Sequence, residues 1–387
     1  MKRDYVDSKS FMVSILSLSL LTVMAGAAVA PALGVIKEYF YDCNPLFVQM
    51  IVSIPAVFIV ITNCFFARLC RAFGSKSLVM AGLLLYTAGG CLAGIFNNIF
   101  LVLAARALVG IGVGIIMPLS TGLLSYYGKP EQQSRLMGYS SAMNQMGGVI
   151  ATLLSGILAS ISWRASFLVY LLGLISIVLC LIFLPNEKIN SEKQKKSSEK
   201  IGGTIKNYYS YILAMFLLMS AFFIYPTNFA ILVEADGIIP FKYVAVIMAM
   251  MDLVAFCGGL LFVFMQKVFR NKTKYIAPIL FFLGYVLLTV GGVAGTLIGS
   301  VFIGFANGLG IPLIISSASI KSGKSAVTTV MPLLSASLYL AQFLCPILVS
   351  AVTAVVGSQI PHLAYWIAVV LSIFLFICSI FIPKADN

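Results

Sequence analysis

The chain has 387 residues, 61% of them apolar and only 10% charged, against about 25% charged in an ordinary soluble domain. That is too few charges to coat the two or three soluble domains that a chain of this length would form. Soluble enzymes, nucleic-acid binders and disordered chains are excluded together, and an integral membrane protein remains despite a net charge of +13.

A membrane-crossing helix needs about 20 mostly apolar residues. Runs of that kind fall at 11–35, 47–67, 77–96, 98–124, 136–159, 165–184, 211–233, 241–266, 275–293, 295–318, 326–356 and 362–383, twelve in all. They are continuous rather than alternating, which excludes a closed β-barrel. The expected fold is an all-α membrane protein with twelve transmembrane helices. The first run is too long, and too closely followed by others, for a cleaved leader, so residues 11–35 are expected to stay in the mature protein.

In chain order, the first run contains Met24 and ends in APALGVIKEYF at 30–40. The loop after the second run reads ARLCRAFGSKS and carries Arg68, Arg71, Gly74 and Lys76. Arg106 lies about nine residues into the fourth run, on a face with Val102, Gly110 and Gly114. A buried guanidinium must be met by carbonyls, polar side chains, water or an anionic substrate. Asn144 and Gln145 lie mid-way along the fifth run, and WRASF at 163–167 opens the sixth. Residues 185–210, with six Lys and three Glu, form the one long polar stretch and read as a cytoplasmic linker between bundles at 1–184 and 211–387.

Beyond the linker, the seventh run holds Tyr225-Pro226 and Asn228, and the eighth Met248, Met251 and Asp252. Asp252 sits about eleven residues into its run, near the middle of a membrane at 1.5 Å per residue. Ala245, Ala249, Asp252 and Gly259 share a face, and a face of small residues normally packs inside a bundle. An ionisable group at this depth is costly, so Asp252 is the candidate for reversible protonation; the bland alternative is a carboxyl that only bonds a neighbouring helix. Asn307 lies mid-way along the tenth run, and Tyr339 and Gln342 along the eleventh. Each of these polar groups alone is more often helix–helix glue. Together with Met24 and Met248 they are expected to line a central cavity with few charges, suited to varied amphipathic ligands. The two halves also echo each other: GLLLYTAGG from Gly82 resembles GYVLLTVGG from Gly284, and Pro118-Leu119 recurs as Pro312-Leu313. Two pseudo-symmetric six-helix bundles are the expected arrangement.

Twenty-one Lys and Arg fall in loops on the side of the N-terminus, and Lys37, Arg164 and Lys242 on the other. By the positive-inside rule both termini are expected to be cytoplasmic, in an inner or plasma membrane. The basic loops read as topology determinants and contacts to anionic membrane lipids, not to nucleic acid. The eight cysteines lack metal-ligand spacing and read as small packing residues. The one histidine, His362, provides no metal site or catalytic triad, and there is no P-loop, so no cofactor, no metal and no enzyme activity are expected.

These motifs together resemble the major facilitator superfamily over the whole chain. The first half resembles its twelve-span drug/metabolite–proton antiporters in the APALGVI ending of the first run, the gating-loop pattern, the Arg106–Gly110–Gly114 pattern and WRASF. The resemblance implies a role for Arg106 in proton transfer or local structure. Three departures stand beside it. Arg71 replaces an acid of the gating loop; Ala151-Thr152 stands where Gly-Pro is expected in the fifth run; and Gly26 takes the place of a membrane-embedded acid.

The expected function is secondary active transport, led by proton-coupled efflux of small amphipathic drugs or metabolites by alternating access. The alternative is a proton-linked importer or facilitator of a small organic nutrient, and the remote one a non-transporting receptor or scaffold. The expected partners are a small-molecule substrate, protons and lipids, with the chain as a monomer.

Overall fold

A computed structural model describes residues 9–127, 130–185, 201–237, 239–290, 292–322, 330–356 and 360–381. Every regular element among them is helical: α1 (Lys9–Ala27), α2 (Leu33–Tyr39), α3 (Pro45–Ala72), α4 (Ser75–Ala93), α5 (Ile99–Tyr127), α6 (Pro130–Ala159), α7 (Leu172–Phe183), α8 (Ile201–Asp236), α9 (Phe241–Phe269), α10 (Thr273–Val290), α11 (Gly292–Ser322), α12 (Met331–Val356) and α13 (Leu363–Ile380), with short 3₁₀ turns at Ala30–Ala32, Ala165–Leu171 and Arg270–Lys272. Eleven helical stretches among the described residues are long and apolar enough to cross a membrane. The longest, 50 residues at Phe241–Val290, is interrupted at Arg270, whose φ of 47° no helix accommodates.

The first apolar run is not one helix. α1 stops at Ala27, a 3₁₀ turn follows with Pro31 in its first positions, and α2 resumes at Leu33. Pro31 has no amide hydrogen to continue the ladder, so carbonyls near the break are left for other donors. Proline does the same inside α3 at Pro55 and inside α8 at Pro226. Side-chain caps mark clean starts. Asn44 accepts from Leu46 N at 2.9 Å and Asn98 from Phe100 N at 2.8 Å, at the entries to α3 and α5. The expected linker lies mainly outside the described residues at 186–200, and α8 is already helical from Ile201.

The chain divides into two compact units, Met1–Glu192 with Val244–Ala249, and Lys193–Tyr243 with Met250–Asn387. In the first, α4 and α3 pack on α5, and α1 packs on α6. In the second, α10 packs on α11 and α13, and α8 on α12 and α13.

Several contacts of the first unit recur in the second. Lys76 Nζ donates to Leu181 O at 2.7 Å, capping the end of α7; Lys274 Nζ donates to Ile380 O at 3.3 Å, capping the end of α13. Cys180 Sγ meets Ser14 O at 3.6 Å, and Cys378 Sγ meets Ser210 O at 3.6 Å. Tyr86 and Tyr170 rings lie 5.1 Å apart, Tyr285 and Tyr365 rings 5.8 Å apart. A Cβ on Gly112 would sit 2.6 Å from Gly82 O, and one on Gly299 would sit 2.6 Å from Gly284 O, so both helix pairs approach as closely as only glycine allows.

The cysteines divide. Cys70, Cys180, Cys345 and Cys378 are buried, in keeping with a packing role, Cys43 and Cys91 are half-buried, and Cys64 and Cys257 are exposed.

Candidate functional site

Arg106 is fully buried in α5. Its Nε donates to Ile51 O at 2.8 Å, and its two terminal nitrogens donate to Tyr170 Oη and Ala25 O. Tyr170 Oη donates in turn to Ala25 O at 2.8 Å. Both carbonyls lie where their own helix supplies no donor. Ile51 stands four residues before Pro55, so its oxygen is the one that the missing proline amide leaves open. Ala25 lies in the last turn of α1, just before the break. Gly110 lets α5 come close enough, since a Cβ there would sit 2.8 Å from Pro55 Cα. The arginine thus serves as a tertiary cap on two interrupted helices, and among the described residues no carboxylate pairs with it. Pro55, four residues after Ile51, is a signal that sequence reasoning passed over and that marks the Ile51 carbonyl as open; the Tyr170 contact has none.

The loop between α3 and α4 is largely committed too. Gly74 precedes the first turn of α4 in extended conformation, and Lys76 is the cap on α7 described above. Arg68 is exposed, its guanidinium 5.7 Å from the Phe65 ring. Arg71 lies in the last turn of α3, and its side chain is outside the described residues. WRASF is likewise structural. Arg164 lies 4.6 Å from the Trp163 ring and 4.9 Å from the Tyr39 ring, and donates to Tyr39 Oη at 3.0 Å and to Asn97 Oδ1, joining α2, the α4–α5 turn and the entry to α7.

Of the other first-unit candidates, Met24 is buried, Asn144 accepts from Thr22 Oγ1 at 2.8 Å, and Gln145 is half-buried. Ser19 and Ser140 hydroxyls meet at 2.7 Å one turn away. Asn144 therefore holds α6 to α1, the role expected of such groups when taken singly.

In the second unit, Tyr225 is fully buried, stacks on Phe229 at 4.4 Å and shares a hydrogen bond of 2.8 Å with Ser300 Oγ on α11. Tyr285 Oη donates to Ala221 O, on the same helix as Tyr225. Asn228 Nδ2 donates to Ile224 O and Thr227 Oγ1, both at 3.0 Å. Asn307 is 7% exposed, and its Oδ1 accepts no hydrogen bond among the described residues. Gln342 is buried and Tyr339 half-buried on α12.

Asp252 is half-buried, and Tyr225 lies within its electrostatic reach. The face expected for it needs correction. Ala245 and Ala249 are buried as expected, but Gly259 is exposed, so the packed face does not reach it. Beside them a buried stripe of α9 runs through Val244, Met248, Met251, Ala255 and Phe262. Its centre is set by glycines on α11: a Cβ on Gly304 would strike Met251 O, and one on Gly308 would strike Ala255 O. Asp252 borders this seam and is half-buried.

The arrangement is one of helices interrupted by proline, a carboxylate at mid-depth and buried uncharged polar groups. The Major Facilitator Superfamily model matches residues 15–333. The chain belongs to the Major Facilitator Superfamily. Among characterised relatives, it is 24% identical over 156 residues to the riboflavin transporter RibZ of Clostridioides difficile strain 630, covering 40% of this chain and 34% of that one. It is 31% identical over 118 residues to a multidrug resistance protein B homolog of Mycobacterium tuberculosis, covering 30% of this chain and 22% of the relative. These matches thus span about a third or less of the relatives' length. The structure of a nucleoside transporter, NupG, superposes with a TM-score of 0.80 at 13% identity, covering 97% of this chain and all of that one. At that identity the likeness concerns the fold. The membership agrees with the multi-span helical architecture.

Proposed function

We propose that the chain is a proton-coupled exporter of small amphipathic compounds, working by alternating access of two six-helix repeats in the cytoplasmic or plasma membrane, with both termini cytoplasmic. Twelve crossings follow if the stretch Phe241–Val290 counts as two: 50 residues of helix would extend about 75 Å, more than twice the hydrocarbon thickness, and the chain breaks at Arg270 between α9 and α10. The recurring lysine caps, cysteine contacts and tyrosine pairs support a duplication.

The observation that carries the coupling is Asp252, a half-buried carboxylate at mid-depth beside a glycine-built helix seam. Arg106 has a different role in this reading. With its donors committed to Ile51 O, Ala25 O and Tyr170, it holds the proline breaks of α1 and α3 in register rather than passing protons. Asn307, with an open acceptor, and Gln342 and Tyr339 on α12 supply polar contacts for a substrate, while Met24 and Met248 give it adaptable apolar wall. The multidrug relative supports efflux of varied compounds.

A proton-linked importer or facilitator of a small organic nutrient is the second reading. The Ala151-Thr152 departure in α6 and the riboflavin transporter among the relatives favour it. Everted membrane vesicles separate the two. A lipophilic cationic dye that is exported in exchange for protons discharges an imposed pH gradient; an importer or facilitator discharges none in that direction.

A further inference from the structure

Asn144 on α6 meets Thr22 on α1 at 2.8 Å, and taken alone that contact has the Thr22 hydroxyl as donor. A second contact decides otherwise. Thr22 Oγ1 also lies 2.8 Å from Ser19 O, one turn back on its own helix. A hydroxyl has one proton to give, and a backbone carbonyl only accepts. Two oxygens sit 2.8 Å apart with a proton between them, so the hydroxyl proton belongs to Ser19 O. The Thr22 oxygen is left with lone pairs, and the group facing it must donate. An asparagine amide does so by a half-turn about its last bond, which exchanges oxygen and nitrogen at nearly the same positions. Nδ2 therefore faces Thr22, and the carbonyl oxygen is turned away.

The second unit contains the same order of donors. Asn228 Nδ2 donates to Thr227 Oγ1 at 3.0 Å, and Thr227 Oγ1 donates to Phe223 O at 2.6 Å. In both units the order is amide to hydroxyl to helix carbonyl, each bond polarising the next. The two differ in what is left over. Asn228 is buried and spends its amide on Ile224 O as well, at 3.0 Å. Asn144 is half-buried, and apart from Thr22 its amide bonds no group among the described residues.

Packing fixes Asn144 in this place. The Ser19 and Ser140 hydroxyls share a hydrogen bond of 2.7 Å one turn toward the start of both helices. Gly147 lets α6 lie against α1, since a Cβ there would strike Leu20 O. Gln145 is half-buried as well, and no described residue bonds its amide. Open amides half-way along a membrane helix are not turned to hydrocarbon, where nothing meets them. They face the space through which a transported compound passes.

We propose that Asn144 presents its carbonyl oxygen to an N–H group of the transported compound, and that Thr22 is the positioning residue that sets this polarity. This rests on the reading of the chain as a transporter of amphipathic compounds, and it names their class: an N–H attached to an aromatic or delocalised system. The carboxylates among the described side chains of this unit, Glu38 and Asp42, are exposed in and just after α2, so the acceptor at Asn144 is a neutral oxygen. A neutral oxygen meets one weakly hydrated N–H but does not offset the dehydration of a localised ammonium. The Gln145 amide turns either way and so tolerates donors or acceptors on the rest of the compound.

Equilibrium binding of two dyes to the full-length protein in lipid nanodiscs, read by fluorescence anisotropy, tests this. One is a rhodamine ethyl ester with secondary ethylamino groups, each carrying an N–H. The other is its dimethylamino counterpart, with the same xanthene core, ester and charge and no N–H. The native chain is expected to bind the first about five- to tenfold more tightly. Asn144→Leu fills similar space without the acceptor and should bring the two affinities together by weakening the first alone. Thr22→Val keeps the shape and removes the hydroxyl, so the amide turns freely and the preference falls to about twofold; Thr22→Ser keeps the hydroxyl and the full preference. A loss of packing weakens both dyes alike, so the ratio separates positioning from structure. Should Asn144→Leu bind neither dye, the two Thr22 variants decide. Equal native affinities, a preference that Asn144→Leu or Thr22→Val leaves in place, or one lost equally in both Thr22 variants overturns the proposal while the exporter reading stands. A native chain that binds neither dye overturns both.

Discussion

Arg106 and Pro55 are complementary partners on neighbouring helices: the proline leaves the Ile51 carbonyl without its helical donor, and the arginine Nε meets that carbonyl at 2.8 Å. The same guanidinium reaches Ala25 O at the break of α1. A buried charge of this kind is stabilised by oriented carbonyl dipoles rather than by an acid, and it ties three helices of one unit at their weakest points.

This arrangement sets the consequence of removing the side chain. Arg106→Ala leaves Ile51 O unmet, while Ala25 O keeps its bond from Tyr170 Oη, and is expected to cost on the order of 2 kcal/mol. Pro55→Ala restores an amide to serve Ile51 O, so the double variant should recover about 1 kcal/mol of that loss. Thermal unfolding in detergent for the four members of the cycle measures the coupling. Strict additivity would mean that Arg106 does not act by capping the proline break.

Lys76 and Lys274 are expected to act alike, each on the end of the last helix in its own unit. Lys76→Met should speed hydrogen exchange near Leu181 by about two- to fivefold, the effect of roughly 0.3–1 kcal/mol at a helix C-terminus. Lys274→Met should do the same near Ile380 and leave the first unit unchanged. Exchange that rises at neither helix end would show that both lysines are simply solvated charges.

Orientation is open to a direct check. In a Cys43→Ser background, an impermeant thiol reagent applied to intact cells should label a cysteine introduced at Asp236 and not one introduced at Ser197. Labelling of the second site from outside would reverse the topology.

Long apolar runs are legible because nothing but membrane-spanning helices uses them, and the family resemblance was legible in four motifs on the right runs. The break in the first run was not, since Ala27 to Ala32 is as apolar as its surroundings and Pro31 alone does not say which carbonyls it frees. Arg106 was legible as a buried charge but not by its partners, because two of them are backbone oxygens and side-chain patterns do not record those. Asp252 was singled out by its depth along the eighth run. Its face was read correctly at Ala245, which is buried against Gly156, and at Ala249, and was extended too far at Gly259, which is exposed. The pairing of Asp236 with His362 at 3.7 Å has no local signal, with α9 to α12 intervening between its members.

The central claim is that Asp252 carries the coupling proton, and the most direct test compares the native chain with Asp252→Asn in proteoliposomes, using a lipophilic cationic dye as the transported compound. Asparagine keeps the shape and polarity of the carboxyl but releases no proton. The variant is expected to fold, to bind the dye and to exchange it down its own gradient, while losing all movement driven by an imposed pH difference. An Asn variant that still moves the dye uphill under a pH difference would contradict the account and shift the coupling to another carboxylate, such as Glu38 near the end of α2 or Glu234 near the end of α8.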